Sequence, residues 1–177
     1  MAKDLYRSYQ SRKNNEEGRL FEQFIMAGCQ TYAAAGRAYI EKTPEPFRVK
    51  RKNQDGTATV YFTKRAEPDF KGVLAGGQCI VFEAKHTSTD KLHQGVITDY
   101  QAEALTMYSE MGAVAAVAGC VKDTPFFMPW KHWQSMKEIY GRKYLTAADV
   151  EPFRIRFTGA ASALTAAITL SELTVLP

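Results

Sequence analysis

Pro68-Asp69 and Glu83-Ala84-Lys85 are the residues of this chain best suited to chemistry, and only the stretch FKGVLAGGQCIVF separates them. On an extended strand side chains alternate, so Glu83 and Lys85 share one face about 6.6–6.8 Å apart along the axis, while Phe82 and Ala84 point the other way. The preceding CIVF is apolar throughout. Charged groups in so apolar a strand are costly to bury unless a metal, a counter-charge or hydrogen bonds compensate them. The glycines at 76 and 77 allow the segment carrying Asp69 to fold back beside the Glu83 strand. Two carboxylates held close resist joint ionisation unless a cation lies between them. Mg²⁺, which takes one or two carboxylates, retains several waters and binds phosphate oxygens, suits Asp69, Glu83 and the main-chain carbonyl of Ala84, with Mn²⁺ expected to substitute. The matching substrate is a phosphodiester: such an ion lowers the pKa of water and stabilises charge developing on phosphorus, while Lys85 orients that water or neutralises the extra charge. Blander readings stay open on these residues alone. An E-x-K triplet arises by chance about once in a chain of this length, Glu83 and Lys85 also suit a solvated charged face, and Asp69 also suits a turn cap.

Positioning these groups requires a strand under Glu83, a return strand under Asp69, and helices against the sheet. QCIVFEAKH reads as a central strand and PDFKGVL as a shorter extended piece before the glycine turn. Upstream, Leu20, Phe21, Phe24, Ile25, Gly28 and Tyr32 follow a 3.6-residue period, predicting an amphipathic helix from Gly18 to near Gly36 with Glu22 close to its first turn. Residues 1–17 carry no apolar period and read as a flexible basic arm ahead of a single domain over 18–177. KTPEPF breaks the helix, and FRVKRK and TATVYFTKR, separated by NQDG, read as a hairpin projecting over about residues 42–66. Downstream, VITDYQAEALTMYSEM reads as a helix ended by Gly112, AVAAVAGCV as a buried strand, PFFMPW as an edge strand and HWQSMKEIY as a short helix closed by Gly141. Strands interrupted by helices give an α/β fold around a central mixed sheet.

The chain has 177 residues, enough for one domain with a real core, and 45% of them are hydrophobic. No apolar run approaches the roughly 20 residues that span a bilayer, so no membrane association is expected. The polar N-terminus lacks the apolar centre of a secretory signal, which predicts a cytoplasmic protein. Cys29, Cys79 and Cys120 are far apart without paired spacing, against both a disulfide framework and a zinc site. His93 and His132 lack partners at ligand spacing, and no Walker loop, dinucleotide glycine pattern or Ser/His/Asp signature calls for an organic cofactor. Net charge is only +4, but it is polarised. Lys42, Arg48, Lys50, Arg51, Lys52, Lys64 and Arg65 face only Glu45 and Asp55, whereas residues 90–123 hold two lysines against five acids.

The ordered set GRLFEQF, KTPEPFRV, VYFTKRAEPDFKGVLAGG, CIVFEAKHT and DYQAEAL resembles the RecU family of Holliday junction resolvases, within the P-D…(D/E)-x-K nuclease superfamily. The resemblance covers about residues 15–155. It implies a restriction-endonuclease-like core with a projecting basic stalk hairpin. Asp69 and Glu83 then correspond to the metal-binding carboxylates, Lys85 to the catalytic lysine, Glu22 to an acid added from the first helix, and Gln101 to a helper glutamine. The seven bases named above correspond to the stalk that reaches into branched DNA. Pro68 stands where chromosomal members tend to carry a threonine, and Thr98, Asp99 and Tyr100 replace a histidine-rich approach to the glutamine, which suits a divergent or phage-encoded relative. The implied activity is a Mg²⁺-dependent, homodimeric endonuclease that cuts four-way junctions in recombination and repair. A related nuclease acting on duplex DNA, or a non-catalytic DNA-binding accessory protein, are the competing expectations.

Overall fold

The computed structural model describes residues 2–63, 67–160 and 163–167, with side chains over 15–63 and 67–155. It opens with a long helix, α1 (Ala2–Ala34), and a strand, β1 (Ala38–Lys42). A hairpin follows, β2 (Phe47–Lys52) and β3 (Ala58–Phe62). Next come β4 (Phe70–Leu74), β5 (Cys79–Thr87), the short β6 (Leu92–His93), α2 (Asp99–Glu110), β7 (Val114–Val121) and β8 (Thr124–Pro129). The remainder comprises α3 (Trp130–Gln134), α4 (Met136–Tyr140), β9 (Tyr144–Leu145), α5 (Ala147–Val150), β10 (Arg156–Ala160) and β11 (Ala163–Ala167).

The central sheet has five strands in the order β1-β4-β5-β7-β8. It is mixed, because β5 and β7 run parallel through the α2 crossover while the other neighbours pair antiparallel. Alternation along β5 divides the interior in two. Val81 joins Val117, Val121, Leu105 of α2, Trp133 and Met136 on one side. Phe82 and Ala84 join Phe70, Ala116, Ala118 and the α1 residues Phe21 and Ile25 on the other. Phe82 stacks on Phe70 at 4.9 Å between centroids and meets Phe127 edge-on at 5.3 Å, geometries that add about 0.5–1.5 kcal/mol per pair to the area buried. Trp130 and Trp133 are buried in this packing. Among the described residues no helix is long and apolar enough to cross a membrane.

Two departures from the sequence expectation concern the elements that frame the central sheet. Residues 2–17, expected as a loose arm, form the first half of α1; this stretch has no proline or glycine and is rich in Lys, Arg, Glu and Gln, which cost little in a helix. The helix does end where expected, at Gly36 with φ +66, a left-handed residue that lets the Arg37 N–H reach the Tyr32 carbonyl at 2.9 Å. The second departure is β1, a strand absent from the sequence reading, which forms the sheet edge beside β4.

Candidate active site

Asp69 immediately precedes β4, and β4 pairs with β5 in a register that runs from Val73↔Cys79 to Phe70↔Phe82. One step further the ladder ends, and side chains take over from main chain. The Ala84 N–H donates to Asp69 Oδ2 at 3.0 Å, and the Asp69 N–H donates to Glu83 Oε2 at 3.3 Å. The two carboxylates therefore meet in the notch where two strands part. Asp69 is held from the opposite side as well, since its carbonyl accepts from the Thr43 N–H at 2.8 Å, at the end of β1.

Glu83 is the one fully buried charged residue among those described, with 0% exposure. The compensation that its apolar strand demands is visible. Lys85 Nζ donates to Glu83 Oε1 at 2.8 Å, and Gln101 Nε2 donates to the same oxygen. Burial nevertheless dominates and, with the charge of Asp69 beside it, pushes the Glu83 carboxyl up to about 7 against the pull of Lys85. A carboxylate that holds its proton so firmly beside another acid is a place where a divalent cation would be welcome. The donors fit a hard ion with few protein ligands: two carboxylates plus main-chain oxygen is the pattern for Mg²⁺, which keeps waters and takes phosphate. Among the described residues no cluster of three or more His, Cys, Asp or Glu could hold a metal, so the pair is no closed cage of the zinc type.

Gln101 reaches Glu83 because α2 begins in a capping box. Thr98 is the N-cap, its Oγ1 accepting from the Gln101 N–H at 3.3 Å, while Gln101 Oε1 accepts from the Thr98 N–H at 3.0 Å. With its oxygen committed to the cap, the amide can only present its NH₂ to Glu83. The motif T-x-x-Q was readable at 98–101, and it is the signal that fixes the orientation of this side chain.

Glu22 stands apart from that pair of acids in its bonding: its carboxylate is ion-paired with Lys42, at the C-terminal end of β1. Lys42 sits opposite Phe70, the residue after Asp69. Arg48, Lys50, Arg51 and Lys52 are all exposed on β2, which pairs only with β3 and makes a sheet separate from the central one. Lys64 and Arg65 lie outside the described residues. The hairpin is two-faced. Direct partners share a face, and Phe47↔Phe62 and Val49↔Val60 give it an apolar side, while Arg48↔Tyr61 and Arg51↔Thr59 lie on the other.

An acid before one strand, an acid and a lysine on the next, and a parallel β-α-β crossover behind them define a protein of the restriction-endonuclease-like fold with a P-D…E-x-K motif. The family RecU, Recombination protein U, matches residues 16–163, and the chain belongs to it. No curated protein sequence matches the chain. Among solved structures it is similar to Archaeoglobus fulgidus Hjc, a Holliday junction resolvase from an archaeal hyperthermophile, at 17% identity and a TM-score of 0.40, over 65% of this chain and 74% of that one.

Proposed function

We propose that this chain is a Mg²⁺-dependent endonuclease that resolves four-way DNA junctions, acting as a homodimer that places one nick on each of two strands. The observation that carries the reading is the meeting of Asp69 and Glu83 where the β4–β5 ladder ends, with Lys85 bonded to Glu83. Membership of the RecU family supports the substrate.

Asp69, Glu83 and the Ala84 carbonyl would hold the cation, which would supply charge neutralisation at the scissile phosphate and a lowered pKa for water. The chain's own groups do the rest. Asp69 is aimed by the Ala84 N–H. Lys85, 22% exposed, holds its ammonium against Glu83 and faces the notch, where it can carry a proton or balance charge on a phosphate oxygen. Gln101 locks Glu83 in one orientation. The bases of β2 contact backbone phosphates and fix the register of the DNA.

The test is cleavage of a synthetic four-way junction and of a linear duplex of the same sequence, with Mg²⁺ or Mn²⁺, by the wild type, Asp69→Asn and Glu83→Gln. The expected result is nicking of the junction in preference to the duplex, reduced at least ~10²-fold in either variant, as for loss of a main electrostatic group. Equal rates on both substrates remove the resolvase reading, and undiminished nicking by both variants removes the site.

A further inference from the structure

Beyond β5 the fold builds a second cationic surface, on a part of the chain whose sequence reads as acidic. β6 pairs with β9 through Leu92↔Leu145 and His93↔Tyr144. This brings together cations from two distant segments around one ring. Lys91 Nζ lies 4.6 Å from the Tyr144 centroid, Arg142 Cζ lies 4.9 Å from it, and the His93 ring is tilted against it at 5.7 Å. Arg142 is fixed in place by Asp149 and by the Tyr140 carbonyl at 3.1 Å. The nearby acids are already spoken for, Asp90 by Lys122 and Asp149 by Arg142. Lys91 and Lys143 are exposed and, among the described residues, neither has a carboxylate partner.

With Asp90 and Asp149 already paired, Lys91 on the Tyr144 ring and Lys143 next to Tyr144 in the chain leave a positive potential that an external anion relieves. The place of this cluster says which anion. The Gln94 N–H, next along from His93, donates to the Lys143 carbonyl, and four residues later Thr98 caps α2 and holds Gln101 on Glu83. Five residues span at most about 18 Å, so the backbone at His93 lies within about five base-pair steps, at roughly 3.4 Å each, of the Thr98 cap that positions Gln101 on Glu83. Lys91, His93 and Lys143 are all exposed, which suits the phosphates of an extended duplex.

We propose that Lys91, His93 and Lys143, organised by Tyr144 and Arg142, form a backbone-phosphate contact for a DNA arm leaving the Asp69–Glu83 site, distinct from the β2–β3 hairpin. This rests on the nuclease reading above. Such contacts position DNA without reading its sequence.

The test is a fluorescence-anisotropy titration of the full chain against a labelled four-way junction in Ca²⁺, over a series of salt concentrations. The proteins are the wild type, a Lys91→Ala/Lys143→Ala double variant, and a Lys50→Ala/Arg51→Ala/Lys52→Ala hairpin variant. Both lysines are exposed, and thermal unfolding of the double variant checks that the fold is retained. The expected result is a loss of about 5–20-fold in affinity, with a salt slope shallower by about 1–2, alike on junctions of different sequence. Binding by the double variant that matches the wild type in affinity and slope, while the hairpin variant weakens, overturns the contact and leaves the nuclease reading standing. A wild type that binds no DNA overturns both.

Discussion

Glu83 is both the most constrained side chain of the site and the one with the clearest signature in solution. Its carboxyl, pushed up to about 7 by burial and by Asp69, binds a proton in the folded chain at pH values where the unfolded chain has lost it. Stability falls with pH wherever the folded state holds more protons, so the metal-free protein loses stability from near pH 4.5 up to about 7 through this group. His132, whose pKa burial lowers, works in the opposite sense. The informative quantity is therefore the difference between proteins. Glu83→Gln is expected to be more stable than the wild type at pH 8 in chelator, with the gap closing towards pH 5, as read by urea unfolding; a gap that does not vary with pH would mean Glu83 titrates normally. Gln101→Ala removes a donor from Glu83 and one half of the capping box. It is expected to lower junction nicking about tenfold and stability by about 1 kcal/mol, with Thr98→Ala reproducing the second loss. Asp69, Glu83 and Lys85 were legible because acid, strand and lysine lie within a short span of sequence whose alternation is plain. What Gln101 does was less so, because its geometry depends on which helix turn Thr98 begins.

At the scale of elements, the notch exists because β4 is clamped between β1 and β5. The clamp is tight at Gly72, where an added Cβ would stand 2.0 Å from the Tyr39 carbonyl oxygen and 2.6 Å from Ile40 Cα. Both atoms are main chain, so no side chain can swing away to relieve the clash. Gly72→Ala is expected to cost about 2 kcal/mol and to lower Tm by about 4–8 °C, and by loosening β1 to weaken the Thr43 hold on Asp69 and with it nicking. Calorimetry and junction cleavage on the same preparation check both. The central strands were readable as apolar runs and the hairpin from its NQDG turn. β1 was not, because a short edge strand alternating as Ala38 buried, Tyr39 exposed, Ile40 half-buried lacks any run long enough to register. The start of α1 was missed for a complementary reason: helix-forming composition without an apolar period predicts no packing, yet it does not prevent a helix that is already nucleated downstream from continuing.

At the scale of the whole molecule, the described bases include one group on the β2 strand and another at Tyr144, on either side of the sequence that builds the acidic notch. The polarity of the first was visible in sequence, since its bases are adjacent. The second was hidden by averaging, because Lys91 sits among acids in sequence and meets Arg142 only through the β6–β9 ladder. A single chain supplies one notch, and a four-way junction has two equivalent strands to cut. A twofold protein matches a twofold substrate and commits both nicks to one encounter. On a supercoiled plasmid extruding a cruciform, two nicks within one binding event give linear DNA directly, whereas independent single nicks give open circles first, since relaxation reabsorbs the cruciform and removes the substrate. The homodimer reading predicts linear product without accumulation of open circles. Mixing wild type with an excess of Asp69→Asn should convert that product to open circles, because nearly all dimers that retain any working notch then carry only one. Open circles from the wild type alone would show that the two nicks are uncoupled, leaving the chemistry of Asp69, Glu83 and Lys85 intact but separating it from paired resolution.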